Sequence, residues 1–524
     1  RQMCIRDRCC FIQGIVTAQE GEDVVRNIAY TVNVDVSVQG TLTDENGNLY
    51  TQDEDGNRIY TDIAFAKDYV RLLDKTSGDI VVKIAGGFYY HPETVTFTDE
   101  DSGNENCTIY YEAADKNDLP IISGGYILSS AWTEAAEVSG VVDGTVYKTT
   151  LNRDKKLRAI YVNGNRASMT KRVVSGTVAS DEQYTITPDK SNSDWAWVSG
   201  SKSVGTIFEN GTIPADARNP QNIELETQTT FNKAIVCVDK LETTADNKVL
   251  ARLQQPYGVM AQSVGWAPYK PAEPNTVHNV FEWLSKPGEF YFDQASSTLY
   301  YVAGKGEDMN SAQVVIPELD TIVELKGTHT LGDSAKYAHV QNITFDGLAF
   351  KNSDWNLWDI AGSHGNAGVQ AATGFVKMAS ESWHNDMYRS YDIPPAAFKA
   401  DIAKNINILN GQVQNTGCLG IHLENDIKNF EIKGNSIKNT GGSGIVIGHP
   451  QHVFENDPDN YKSKGVGADK EKFARGTEAA PVDIFINNNY LRDTCNFFHG
   501  QAPITSFYTC LLYTSPSPRD STSS

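Results

Sequence analysis

A 24-residue repeat near the C-terminal end restricts what this chain can fold into more than any other feature. Asn405-Ile-Asn-Ile408 aligns with Asn429-Phe-Glu-Ile432, Val413 with Ile437, Asn415-Thr-Gly417 with Asn439-Thr-Gly441, and Gly420-Ile421 with Gly444-Ile445, always at the same offset. A third copy, Asp483-Ile-Phe-Ile486 through Leu491-Arg-Asp-Thr494, follows the second by 54 residues, one period plus 30. An earlier copy, Asn342-Ile-Thr-Phe345 through Phe350-Lys-Asn-Ser353, precedes the first by 63, one period plus 39. A fixed period of this length demands a stacked architecture, in which each repeat buries its apolar face against its neighbours.

Within each copy, β-branched and aromatic residues alternate with polar ones over runs of about four, broken by Gly and Asn; these are short strands. No apolar stripe at 3.6-residue spacing is present, which excludes a helical repeat. Strands from successive coils then pair in parallel at about 4.8 Å. Asn435 and Asn489 recur at one turn, and Asn352, Asn415 and Asn439 at another, so their amides are expected to hydrogen-bond along the stack. The expected fold is all-β, a parallel β-helix.

The length of 524 residues leaves room for one large solenoid and a second domain. A net charge of −21 with no run of Lys and Arg argues against nucleic acid and anionic membranes as partners. No apolar run reaches the roughly 18 residues of a membrane span. Residues 1–10 carry neither strand nor helix pattern, Tyr513–Asp520 and the start resemble translated adapter sequence, and 1–10 and 510–524 are set aside as non-native flanks. The cysteines outside those flanks, Cys107, Cys237, Cys418 and Cys495, are too scattered for a metal site or a disulfide framework.

In the N-terminal segment 11–60, Asp44-Glu-Asn-Gly47 and Asp53-Glu-Asp-Gly56 could serve calcium loops. They lack the glutamate an EF-hand requires and match type I′ hairpin turns better. The spacing of Ile63, Ala66, Val70 and Leu73 predicts an amphipathic helix with Asp62 as N-cap, placed to cover the open end of the solenoid over 61–130. Ile80–Ile84, Gly86–Tyr90 and Thr108–Glu112 read as strands of the first coils. Between 131 and 310 the register is lost and strands alternate with turn signals, the pattern of an inserted β-sandwich. Coils resume near Val314–Pro317 and Thr321–Leu325 and continue to 509, with long insertions at 356–400 and 449–478. Both insertions are expected to leave the same side of the coils.

Several short motifs occur in a fixed order: Asp101-Ser-Gly103, Ile122-Ser-Gly-Gly125, Val162-Asn-Gly-Asn-Arg166, Pro287-Gly-Glu289 with Leu299-Tyr-Tyr301, Phe345-Asp-Gly-Leu-Ala-Phe350, Ser353-Asp-Trp355, Gln370-Ala-Ala372 and Pro394-Pro-Ala-Ala397. Together, over roughly 60–509, they resemble the bacterial right-handed parallel β-helix proteins similar to glycoside hydrolase family 141. The resemblance implies a right-handed helix interrupted by a β-sandwich, secretion to the cell surface or medium, and cleavage of plant or host glycans. Fucosidase and xylanase activities occur in that family. It also implies further coils beyond the end of this chain.

Glycoside hydrolysis needs two carboxyl groups, one protonated and one ionised. Asp493 takes a coil position held elsewhere by Asn, and Asp354 and Asp359 flank a tryptophan pair at the mouth of the first insertion; these three are the candidate catalytic residues. Trp355, Trp358, His364, Gln370, His449 and His499 are the candidate sugar contacts, and Trp383 and His384 share their loop. Glu424 and Asp426 are expected to be solvated, and His422 to face outward. No cofactor or metal is implied; the expected ligand is a carbohydrate polymer or oligosaccharide. The alternatives are a glycan-binding adhesin with no carboxylate pair and a polysaccharide lyase. The lyase is disfavoured by the lack of clustered Lys and Arg along the repeats.

Overall fold

The computed structural model describes residues 26–180, 183–185, 201–228, 233–255, 257–263, 269–328, 338–360, 362–369, 373–375, 391–449, 480–507 and 509–514. Gln370, Trp383, His384 and nearly all of the second insertion lie outside them.

Three sheets run through the repeat region, each taking one strand per turn of the chain. The first holds Ile28–Val34, Asp79–Ile84, Ile109–Ala113, Val340–Asp346, Ala403–Leu409, Lys428–Lys433, Val482–Asn487 and Cys510–Thr514. In the second are Phe88–Tyr90, Ile121–Ser123, Ala349–Lys351, Gln412–Thr416, Ser436–Thr440 and Tyr490–Arg492. Val95–Phe97, Val323–Lys326, Ala396–Asp401, Leu419–Leu423, Ile445–Ile447 and Ile504–Ser506 make the third. These neighbours are parallel throughout, and Ile343, Ile406, Phe430 and Ile484 stand in one row while Phe350, Val413, Ile437 and Leu491 stand in another. Those rows are the alignments of the sequence repeat. Alternate residues point inward and form one continuous apolar core.

The corners explain the recurrent asparagines. Asn352, Asn415, Asn439 and Asp493 all have positive φ, between 52° and 64°, and so do Asn342, Asn405, Asn429 and Asp483 in a second column. A left-handed backbone costs an ordinary residue about 1–2 kcal/mol and suits Asn and Asp best after Gly. The amides also form the expected ladder. Asn415 Nδ2 donates to Asn352 Oδ1 at 3.3 Å, Asn439 Nδ2 to Asn415 Oδ1 at 2.6 Å, and in the second column Asn429 Nδ2 to Asn405 Oδ1 at 2.9 Å. Asn435 Nδ2 reaches Asn489 Oδ1 at 3.0 Å. Asn415→Ala therefore carries two costs, the backbone strain and the broken ladder, for a loss of about 2–4 kcal/mol in a denaturant melt. Asn415→Gly removes only the ladder and should lose roughly half as much. Equal losses in the two variants would contradict this account of the corner.

Asp62 caps the helix Ile63–Val70, accepting from Ala64 N at 2.8 Å, and the helix buries Ile63, Ala66 and Val70 against the first strands. Several expectations need correction. Ile28–Val34, placed in a segment of hairpins, is a strand of the first sheet, parallel to Asp79–Ile84. The Asp44 and Asp53 loops are hairpin turns, but only Gly47 and Gly56 have positive φ, whereas a type I′ turn needs two such residues. Each is closed by its own aspartate: Asp44 Oδ1 accepts from Asn46 N and Asn48 N, and Asp53 Oδ1 from Asp55 N and Asn57 N. Val314–Pro317 is no coil strand; it pairs antiparallel with Gly125–Ile127 and closes the base of the inserted region. Cys510–Thr514, set aside as a flank, pairs in parallel with Val482–Asn487.

The insertions leave different corners. The antiparallel region spanning 125–317 departs after second-sheet strand Ile121–Ser123 and returns at third-sheet strand Val323–Lys326. The first long insertion uses the same corner on the adjacent coil, between Ala349–Lys351 and Ala396–Asp401. The second departs after third-sheet strand Ile445–Ile447, so the two insertions meet opposite ends of the third sheet's strands. Sharing a corner brings the first insertion against the antiparallel region, where Ser363–Val369 adds to its sheet beside Lys233–Thr243, with Ile235 opposite Asn366. Gly365 is required there: a Cβ would come within 2.4 Å of the Tyr257 ring.

Candidate active site

Outward-facing residues of the third sheet should be solvated on an open stack. Here the chain leaves for the two insertions at opposite ends of these strands. Glu324, Lys399 and His422 stand in one row along the stack. Ala400 pairs with Leu423, so the next residues, Asp401 and Glu424, are side by side on adjacent coils. Beyond His422 the row passes to Val446 and Thr505, and Val446 belongs to an apolar cluster with Trp355, Ile393 and Phe498.

Lys399 Nζ lies 2.8 Å from Glu424 Oε2 and 3.8 Å from Glu324 Oε1. Its charge overcomes the burial of Glu424 and holds that carboxyl down to about 2. Asp401 Oδ1 accepts from Asn425 N at 3.2 Å and Asn425 Nδ2 at 3.1 Å. Burial, reinforced by the charge of Glu424, pushes its carboxyl up to about 7. Two neighbouring carboxyls driven apart in this way can divide acid and base roles between them. His422 is buried, its ring held neutral, and its Nε2–H donates to Gly448 O at 3.1 Å. His449 Nε2 meets Asp392 Oδ1 at 3.2 Å, linking the end of the first insertion to the start of the second.

The residues singled out in the sequence are dispersed. Asp493 is 61% exposed, paired at 3.2 Å with Arg492. An aspartate has no amide hydrogen to continue the ladder, and Asn496 Nδ2 takes its place on Asn439 Oδ1 at 3.0 Å. Asp354, expected at an open mouth, is 2% exposed and pairs at 2.7 Å with Arg153, which is equally buried. Burial pushes its carboxyl up against the pull of Arg153. Trp355 is core rather than sugar platform, edge-on to Trp358 at 5.6 Å and packed on Phe498 at 4.8 Å. Asp359 is exposed and accepts from Gly362 N at 2.8 Å, a turn contact. With His364 it lines a separate cleft between the first insertion and the antiparallel region. His499 is exposed, its Nδ1 donating to Cys495 O at 3.0 Å.

Glu424 and Asp426 are not solvated: Glu424 is in the row above, and Asp426 is wholly buried between His339 at 2.8 Å and Lys428 at 2.6 Å. Asp401 was missed altogether. Its signal is present as Phe398-Lys-Ala-Asp401 over Ile421-His-Leu-Glu424, an ionisable residue at both outward positions of two consecutive third-sheet strands. Register also aligns Lys351, Gln414, Lys438 and Arg492 on the second sheet, a basic row that scanning along the chain does not reveal.

A solved structure titled "Glycoside hydrolase" is similar to this chain over 93% of its residues and 77% of that chain, at 18% identity and a TM-score of 0.68. The chain has a glycoside hydrolase-like fold. A second structure, "The complex structure of XylC with xylose", is matched over 93% of this chain and 57% of its own length, at 12% identity and a TM-score of 0.36. No family model and no curated protein matches. Among the described residues no helix is long and apolar enough to cross a membrane, and no cluster of three or more His, Cys, Asp or Glu could hold a metal ion.

Proposed function

We propose that this chain is an extracellular or cell-surface glycoside hydrolase on a right-handed parallel β-helix, cleaving a plant or host glycan in fucosidase- or xylanase-like fashion. The observation that carries the reading is the side-by-side placement of Asp401 and Glu424 on adjacent coils. Asp401 is the general acid: its Oδ1 is occupied by Asn425, and its neutral form can give a proton to the glycosidic oxygen. Glu424 stays ionised through Lys399 and acts as nucleophile or as base toward water. Asp354 and Asp493 then serve the fold, the first through its ion pair and the second through its corner, and Asp359 belongs to the separate cleft.

The pH dependence follows from the sign of the Asp401 shift. A donor must be protonated, so activity should hold below about pH 7 and fall as Asp401 ionises above it. Glu424 remains charged across that range. A kcat/KM profile measured by reducing-sugar release on a panel of plant and host polysaccharides tests this. An alkaline limb near 7 supports the assignment; activity unchanged to pH 9 sinks it.

The basic row on the second sheet favours one other reading, a lyase acting on uronate-containing chains, since Lys351, Lys438 and Arg492 could neutralise sugar carboxylates. A lyase would release an unsaturated product and would tolerate loss of the Asp401 proton.

A further inference from the structure

The cleft beside the first insertion encloses about 660 Å³, inside the roughly 300–1,000 Å³ of small-molecule sites. It shares no lining residue with the Asp401–Glu424 row. Its ionisable lining is Asp154, Asp239, Asp320 and Asp359 against Lys155 and Lys156, with burial and the charge of Asp354 pushing Asp320 up to about 7, which leaves a small acidic excess. Two residues of this lining, Asn356 and His364, each hold a buried polar atom, Oδ1 and Nδ1, with no hydrogen-bond partner among the described residues. Unmet polar atoms in the interior are destabilising, so their retention calls for an explanation. Asn356 Nδ2 donates to Asp354 Oδ2 at 2.9 Å, and His364 N to Gln254 Oε1 at 2.9 Å. Burial and the charge of Lys156 keep the His364 ring neutral.

The chemistry on offer at the wall is carboxyl acceptors, the side-chain amides of Gln221, Gln255 and Gln294, and ammonium donors around one small space, with the unpartnered Asn356 Oδ1 and His364 Nδ1 buried behind it. Acceptors and donors interleaved in this way match vicinal hydroxyls, each of which gives and takes a hydrogen bond. The acidic excess repels an anion. Leu357 is the one apolar side chain among the lining residues, so a hydrophobic ligand would leave polar groups of the wall unpaired. We infer that this cleft is a second saccharide site, taking a neutral, hydroxyl-rich oligosaccharide between the first insertion and the antiparallel region, apart from the place of cleavage. The inference leans on the carbohydrate reading above only in the choice of ligand class.

The test uses the full chain with Glu424→Gln, to suppress turnover, titrated calorimetrically with xylotriose, cellotriose, maltotriose and a uronic acid trimer. His364→Leu and Asp320→Leu are added separately, and the melting temperature of each is recorded. The expected result is binding of at least one neutral trisaccharide, weakened tenfold or more by each added substitution, with the His364→Leu melting temperature unchanged or raised because an unmet polar atom has been removed. Neutral sugars that bind equally well with and without the substitutions overturn the inference. So does a lack of binding by all neutral trimers, preferred binding of the uronic trimer, or lost binding that merely accompanies a collapse in melting temperature. Failure of the hydrolase reading is distinguishable, because it is seen in turnover by the unsubstituted chain and not in these titrations.

Discussion

Glu424→Gln and Asp401→Asn are each expected to lower turnover by about 10²–10⁴-fold while leaving the fold intact. Both substitutions keep the shape of the side chain and change what it can do with a proton or a charge. Glutamine at 424 cannot stabilise positive charge developing on the sugar or activate water, and asparagine at 401 cannot give up a proton to a leaving group. The structural cost should be small. Lys399 is partly solvated and retains Glu324 at 3.8 Å, and the amide oxygen introduced by Asp401→Asn can still accept from Asn425. Turnover should therefore fall without a matching fall in melting temperature. Glu431→Gln, on the first sheet beside Lys433, serves as a control and should stay within twofold of the native rate. Native-like rates in both Glu424→Gln and Asp401→Asn would remove the pair from the chemistry.

The largest effect on stability is expected at Arg153→Leu, about 3–5 kcal/mol. Arg153 and Asp354 are each 2% exposed, and the arginine also donates to Pro317 O at 2.8 Å, at the base of the antiparallel region. Truncating it strands the Asp354 carboxylate in a site that already disfavours charge. The charge could be shed by protonation, so the loss should shrink as pH falls. Arg153→Leu with Asp354→Leu removes both charges and should recover most of the loss, since a buried pair is worth little against a well-packed apolar substitute. A single-variant loss under about 1 kcal/mol, or a double variant no better than the single, would contradict the ion pair's place at this junction.

The coil register was legible in the sequence because stacking imposes it. Each inward residue must meet its counterpart one turn away, so Ile343, Ile406, Phe430 and Ile484 keep step despite intervening insertions of unequal length. The asparagine ladder was legible for the same reason, and its last rung differs. Asp493 looked chemically anomalous among asparagines, yet a left-handed corner accepts Asp as readily as Asn, and the amide it lacks is supplied by Asn496. Trp355 and Asp354 carried the composition of a sugar site but were used to seat the antiparallel region on the coils. What could not be read was which corner each insertion leaves. Nor does any one strand show that register sets the outward-facing Lys399 and Asp401 beside Glu424. Ser363–Val369 was equally opaque: rich in small residues, it has little strand propensity of its own and is held by Lys233–Thr243.

The most direct test of the central claim is mass analysis of products formed in H₂¹⁸O from a polysaccharide the native chain degrades. Hydrolysis through Asp401 and Glu424 predicts one ¹⁸O at each new reducing end, no unsaturated sugar, and no product above background from Glu424→Gln. Unsaturated products without the label, or labelled products formed at the native rate by Glu424→Gln, would contradict it.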